Sequence, residues 1–169
     1  MVYKIEHLLS QLKKGLIKTD SKIIINLAEV LQDVAIQQAG NKPTLQLAEN
    51  LDKIEVLGEK EKITAILGHL VQNAQEATAD NGFVRLELSK DEQQAIIKVI
   101  DNGSGMDNKF IAERLFKPFD TTKGNAGMGI GVYEARDYIV KHSGSCDVES
   151  KLGVGTTFTI KLPLAKQGT

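Results

Sequence analysis

A single cysteine, Cys146, rules out an intrachain disulfide and leaves no set of thiols for a cysteine-based metal site. It falls in a strand-like stretch and reads as a small core residue rather than a reactive thiol. No apolar run approaches the roughly 20 residues that cross a bilayer, and no signal-peptide pattern opens the sequence. Charge of either sign is not in excess: the net charge is -1, so electrostatics offers no case for nucleic acid or an anionic membrane surface. Internal repeats and low-complexity segments are also missing. What remains is ordinary for a globular protein: 169 residues, 41% apolar and 25% charged, enough for one domain with a sizeable core and expected in the cytoplasm.

Val2 to Leu16 reads as an amphipathic helix, with Ile5, Leu8, Leu9, Leu12 and Leu16 at steps of three and four. So short a helix needs a partner for its stripe. Gly15 and Thr19-Asp20-Ser21 mark its end and a linker. Strand patterns are expected at Lys22 to Asn26, Pro43 to Ala48 and Ile54 to Leu57, with a helix from Ala28 to Gln38. Glu59 to Ala79 is the longest expected helix, burying Ile63, Ile66, Leu67, Leu70, Val71, Ala74 and Ala77. Asn81-Gly82 signals a turn, after which Phe83 to Ser89 and Gln94 to Ile100 form an antiparallel hairpin. A short helix around Asn108 to Arg114 and a loop from Asp120 to Ala126 follow. A helix from Val132 to His142 and strands at Ser145 to Ser150 and Thr156 to Leu162 complete the chain. This mixed order predicts an α+β architecture, a two-layer α/β sandwich with helices on one face of a mixed, mostly antiparallel sheet, preceded by the short N-terminal helix.

The chemistry centres on Asp101-Asn102-Gly103-Ser104-Gly105-Met106, directly after an apolar strand. An ionised carboxylate accepts hydrogen bonds and cannot donate them. It suits the exocyclic amine of adenine and repels the carbonyl that guanine carries there. Gly103 and Gly105 permit positive φ and close approach of a flat ligand. The same stretch also reads as a tight turn with Asp101 as an Asx cap. On the long helix, His69, Asn73 and Glu76 share one face. An amide oxygen such as that of Asn73 is a hard neutral ligand of the kind Mg²⁺ accepts beside phosphate oxygens; the bland alternative is a solvated helix edge. Gly127, Gly129 and Gly131 alternate before a helix, where amide groups and the helix N-terminus attract phosphate. The run is neither a dinucleotide fingerprint nor a Walker loop. Lys123, upstream, is placed to meet terminal phosphates as a point charge. Gly153-x-Gly155-Thr156-Thr157 is either a glycine hairpin or a source of a threonine hydroxyl near the carboxylate, through water.

Taken together, these motifs resemble the ATP-binding domain of sensor histidine kinases. His69-Leu-Val-Gln-Asn73-Ala is similar to the N box and Asp101-Asn-Gly-Ser-Gly105 to the G1 box. Phe116-Lys-Pro-Phe119 is similar to the F box, Gly127-Met-Gly-Ile-Gly131 to the G2 box, and Gly153-Val-Gly-Thr-Thr-Phe158 to the closing glycine motif. They run in the family's order from about Lys22 to Leu164. The wording of Gly127 to Arg136 and His69 to Ala77 most resembles the kinase branch of the PEP-CTERM and exosortase systems. The resemblance implies a Bergerat fold, shared with gyrase, Hsp90 and MutL, that binds ATP or ADP with Mg²⁺. It implies that Asp101 reads the adenine amine and that Asn73 holds the metal. It implies a short ATP lid between Phe119 and Gly127. It also places nucleotide against Glu76, Gly103, Gly105, Met106, Phe116, Thr122, Lys123, Gly127, Met128, Gly129, Ile130, Gly131, Thr156 and Thr157. Asn73, His69 and Lys123 would carry catalysis. The ATP-hydrolysing relatives hold a glutamate one turn before the metal asparagine; His69 stands there instead, which favours transfer to a protein over steady hydrolysis.

No His-Asp/Glu phosphoacceptor motif is present. His7 precedes Leu8-Leu9-Ser10 and reads as a surface or interface histidine, and His142 as a helix-end residue without chemistry. Residues 1–20 are therefore expected to end a dimerisation and phosphoacceptor hairpin with its linker, and residues 21–165 to form the catalytic domain. The expected function is γ-phosphoryl transfer to a histidine outside this chain, with the upstream hairpin and a response regulator as partners and a homodimeric parent. The fragment itself is expected to touch neither nucleic acid nor membrane, its parent being either cytoplasmic or the inner part of a membrane-bound kinase. The alternatives are an anti-sigma-type serine kinase, against which the helix before Lys22 speaks, and a nucleotide-gated binding module. An intact pair of Asn73 and Asp101 speaks against the latter.

Overall fold

The protein is represented by a computed structural model that describes residues 22–115 and 131–165. Strand β1 (Ile23–Asn26) ends on Asn26, whose Oδ1 accepts the Ala28 N–H at 3.0 Å and so starts helix α1 (Leu27–Gln37). Strands β2 (Leu45–Leu47) and β3 (Glu55–Gly58) precede the long helix α2 (Lys60–Ala77). Then come β4 (Val84–Lys90), β5 (Gln94–Asp101), a single helical turn α3 (Asn108–Phe110), helix α4 (Val132–Lys141), β6 (Ser145–Lys151) and β7 (Gly155–Pro163).

Five strands form one sheet in the order β2-β4-β5-β7-β6, antiparallel except for the β2–β4 pair. A separate antiparallel ribbon joins β1 to β3. It is tied to the end of β7 by the Val56–Leu164 bridge and by the Ala165 N–H donating to Glu55 O at 2.8 Å. Helices α1 and α2 pack on each other and over β4 and β5, while α4 covers β6 and β7. One core results, with Leu27, Leu31, Leu67 and Leu70 from the helices meeting Leu86, Ile97, Ile160 and Leu162 from the sheet. This is the expected α+β sandwich. The expected N-terminal helix and the Asp120 to Ala126 loop lie outside the described residues.

Two local expectations are corrected. Ala77 is exposed, and the stripe of α2 closes instead on buried Gln75 and Thr78. The 3.6-residue period carries positions 67, 71, 74 and 78 to one side, which turns 77 away. Gln75 is buried with its Nε2 donating to Pro43 O at 3.0 Å, and so fastens the segment before β2 to α2. The helix expected around Asn108 to Arg114 is one α-turn, capped by Asp107 accepting from Phe110 N–H at 2.7 Å, followed by a π-helical stretch Ile111–Leu115. Such stretches are rare and concentrate near functional sites.

Cys146 is a core residue of β6, as expected. Burial pushes its thiol up from an ordinary value of 9.0 to about 11, with Asp147 adding to the shift. Below about pH 9 the thiol is neutral in both states; between 9 and about 11 the unfolded chain ionises first, so stability falls across that window. Since the thiolate is the nucleophile, iodoacetamide at pH 8 is expected to leave the native protein unlabelled and to label it fully in denaturant, read by intact mass. Labelling of the native protein at a comparable rate would show the β6 edge opening.

Candidate functional site

The register brings four positions into one row across four strands: Val84 on β4, Asp101 on β5, Thr156 on β7 and Ser150 on β6. Strand alternation fixes their direction. Ile97, Val99 and Asp101 share the helix-covered face, as do Thr156, Phe158 and Ile160 on β7 and Cys146, Val148 and Ser150 on β6. Asp101 and Thr156 are each 8% exposed. A carboxylate thus stands at the end of a central strand, on the inner face.

Asp101 Oδ1 accepts the Gly103 N–H at 2.8 Å. Burial raises its pKa above the usual carboxylate value, opposed by hydrogen bonds from the Gly103 and Thr156 amides. With about four lone-pair sites on its two oxygens, the carboxylate keeps acceptor capacity for a donor of another molecule.

The loop after β5 is held at every step. Asn102 Oδ1 accepts the Phe83 N–H at 2.7 Å, so this side chain secures the start of β4. The Ser104 N–H donates to Ala77 O at 3.0 Å, while Ser104 O accepts the Gly153 N–H at 2.8 Å. Met106 N–H donates to Ser150 Oγ at 2.7 Å. The closest neighbours of Gly103 and Gly105 are protein backbone: an added Cβ would lie 2.3 Å from Ala77 O and 2.1 Å from Lys151 O respectively. Gly105 has φ +72° as expected, whereas Gly103 does not adopt positive φ. These glycines let the loop approach α2 and the β6–β7 turn; close approach to a ligand is not what their immediate surroundings require.

These contacts seat the C-terminal end of α2 against the site. Asn73 lies one turn back from Ala77, about 6 Å along the axis. His69 and Asn73 are half-buried and Glu76 is exposed, on the shared face that their spacing predicts. Glu76 also borders a small polar cavity with Asn41, Lys42, Gln72 and Gln75. Among the described residues no group of three or more His, Cys, Asp or Glu could hold a metal ion. A cation beside Asn73 would therefore take most of its oxygens from phosphate and water.

Two expected ligand contacts are corrected. Thr157 pairs with Ile100 and Glu149 on the outer face of the sheet, because strand alternation turns it away from its neighbour Thr156. Thr156 is the threonine beside Asp101. The Gly131 N–H, expected to face phosphate, donates to Glu134 Oε2 at 2.9 Å, a carboxylate reaching back to cap the first turn of α4. Phe116, Thr122, Lys123, Gly127, Met128, Gly129 and Ile130 lie outside the described residues. Sequence reasoning missed Ser150. The alternation Cys146, Val148, Ser150 was the available signal, since it puts a hydroxyl at an inward position level with Thr156. His142, at the end of α4, stacks on Tyr138 at a centroid distance of 4.0 Å, and its Nδ1 lies 2.8 Å from Tyr138 O. It takes no part in the site.

Residues 58–166 match the family described as histidine kinase-, DNA gyrase B-, and HSP90-like ATPase. The chain belongs to this family, and its relatives there include sensor kinases. It is 36% identical over 126 residues to the sensor histidine kinase RppB of Synechocystis, covering 71% of this chain and 28% of that protein. It is 33% identical over 139 residues to the signal transduction histidine-protein kinase AtoS of Escherichia coli, covering 80% of this chain and 22% of that protein. It thus spans about a quarter of the length of these relatives. Among solved structures, the nucleotide-free catalytic domain of histidine kinase ThkA superposes with a TM-score of 0.70 at 26% identity, over 83% of this chain and 96% of that one. The mycobacterial sensor histidine kinase MprB gives 0.69 at 19% identity, over 86% and 99%, a likeness of fold.

Proposed function

We propose that this chain is the ATP-binding catalytic domain of a two-component sensor histidine kinase, passing the γ-phosphoryl group of ATP to a histidine outside the chain. The observation that carries the reading is the buried Asp101 carboxylate at the end of β5, with one oxygen held by Gly103 and the other able to accept an amine. Membership of the ATPase family and the sensor kinases among its relatives support it. Asp101 would orient the adenine, with Thr156 beside it and Gly103, Gly105 and Met106 shaping the floor. Asn73 would offer its amide oxygen to Mg²⁺, with Glu76 on the same face. Bound Mg²⁺ and the triphosphate supply the transferable phosphoryl group and neutralise its developing charge. The protein's part is positioning and electrostatics. His69 would orient groups near the γ-phosphate rather than activate water, and Lys123 would meet the terminal phosphates. Phe116, Thr122 and the run Gly127, Met128, Gly129 and Ile130 complete the proposed nucleotide set.

On this reading residues 1–20 end a phosphoacceptor hairpin, residues 21–165 are the catalytic domain, and the parent is a homodimer that signals to a response regulator. The narrower likeness to the PEP-CTERM branch rests on the wording of Gly127 to Arg136 and His69 to Ala77. Among the described residues no helix is long and apolar enough to cross a membrane.

The test is incubation with γ-labelled ATP and Mg²⁺, first of the chain alone and then with the dimeric helical hairpin of its parent. Label on the hairpin that is acid-labile and base-stable is phosphohistidine and is the expected result. Acid-stable label on another protein would replace the reading with a serine kinase. Tight ADP binding without label in either case would replace it with a nucleotide-gated module.

A further inference from the structure

Ser150 Oγ meets three partners at the end of the site row: Met106 N at 2.7 Å, Thr156 Oγ1 at 2.7 Å and Gly155 O at 3.1 Å. Their chemistry fixes the direction of every proton. An amide N–H only donates and a carbonyl oxygen only accepts. Ser150 has one proton and two lone pairs. All three contacts are hydrogen bonds only if Ser150 gives its proton to Gly155 O and accepts from both Met106 N–H and Thr156 O–H. In the reverse assignment, Ser150 and Gly155 would face each other at 3.1 Å as two acceptors with no proton between them.

The Thr156 proton is therefore spent inside the protein. What Thr156 offers beside Asp101 is lone pairs alone. An ionised Asp101 also offers only lone pairs. We propose that Ser150 is a positioning residue for purine selection: it locks the Thr156 hydroxyl as an acceptor, so that this end of the site admits an amine and resists a carbonyl. The inference rests on the nucleotide-binding reading of Asp101 and deepens it. Adenine carries an amine at its 6-position, hypoxanthine a carbonyl at the same place, and the two purines are otherwise of similar shape. Without Ser150 the Thr156 hydroxyl is released to rotate and can donate to that carbonyl.

The test compares ADP with inosine diphosphate by calorimetry on the whole chain. Wild type is expected to prefer ADP strongly. Ser150→Ala is expected to narrow that preference about five- to tenfold, the worth of one neutral hydrogen bond. Ser150→Thr keeps the hydroxyl and is expected to restore the wild-type ratio. In a Thr156→Val background, Ser150→Ala is expected to leave the ratio unchanged, because the group through which Ser150 acts is gone. Should Ser150→Ala fold poorly, Ser150→Cys, close in shape but a weaker acceptor for the Thr156 proton, is expected to narrow the ratio in the same direction. An unchanged ratio in Ser150→Ala or Ser150→Cys, with both affinities reduced equally, would make Ser150 merely structural and overturn the inference alone. A shift that persists with Val at position 156 would overturn it too. Failure of the wild type to bind either nucleotide would overturn the nucleotide reading itself.

Discussion

Asp101→Asn is expected to weaken ADP binding by about a hundredfold while leaving the fold as stable as before or more so. The binding loss follows from the geometry of one side chain. Oδ1 is already taken by the Gly103 N–H at 2.8 Å, and an asparagine keeps that bond only by placing its own oxygen there. Its Nδ2 then takes the place of the second carboxylate oxygen, so a donor faces the donor of the adenine amine. Losing a charge-assisted hydrogen bond and gaining an unsatisfied pair is worth about 3 kcal/mol, or roughly two decades of affinity. The stability gain follows from burial. Because burial raises the Asp101 pKa, the charge is a cost to the native state. Below the ordinary carboxylate value of 3.8 the group is neutral in both states. As pH rises through that value the unfolded chain ionises first and the native state loses stability, until the raised native pKa is passed. Above the raised native pKa the full penalty stands, and the asparagine removes it. Calorimetry with ADP and urea unfolding at pH 3 and 7 check both halves. An unchanged affinity would sink the adenine assignment. A variant less stable than wild type at pH 7 would mean that the charge has a stabilising partner.

That a carboxylate should sit at this point was legible from residue order alone, because Ala95 to Ile100 is a strand apolar at every position but Lys98, and Asp101 follows it without a spacer. The sheet and the long helix were legible for the same reason: their periodicities of two and 3.6 run for many residues, and burial forces them. The misreadings share a physical cause. Thr156 and Thr157 are chemically alike, and only the register with β5 and β6 decides which faces Asp101. The role of Ser150 depends on three partners drawn from the loop after β5 and from β7, none of them adjacent to it in sequence. Gly131 reads as a phosphate donor until Glu134 is seen to occupy its amide. Ala77 fits a helical stripe by composition, but the stripe is closed by a polar residue, Thr78, whose hydroxyl donates to Ala74 O at 2.7 Å. Periodic burial is written in sequence; the partner of a single polar group is written in tertiary register.

Gly105→Ala carries that distinction into an energy. The local conformation alone, φ +72°, would cost an alanine about 1 kcal/mol. The tertiary contact costs more, since the new Cβ would lie 2.1 Å from Lys151 O and 2.7 Å from Lys151 C, both backbone atoms that no rotamer change can move. Relief requires the loop and the β6–β7 turn to separate. That opens the Gly153 N–H bond to Ser104 O and the Met106 N–H bond to Ser150 Oγ. Each is worth about 1 kcal/mol, so the total loss is expected to reach about 3 kcal/mol, with ADP affinity falling as the Asp101–Thr156 row loses its support. Gly153→Ala isolates the conformational part: its φ is +77°, nearly the same, but nothing lies within 4 Å of the added methyl. It is expected to cost about 1 kcal/mol. Urea unfolding of the two variants side by side therefore separates strain from contact. Equal losses would show that the β6–β7 turn yields freely and that Gly105 serves only its own φ; a threefold difference would show that the loop beneath the site is held by close backbone packing that a single methyl group is enough to part.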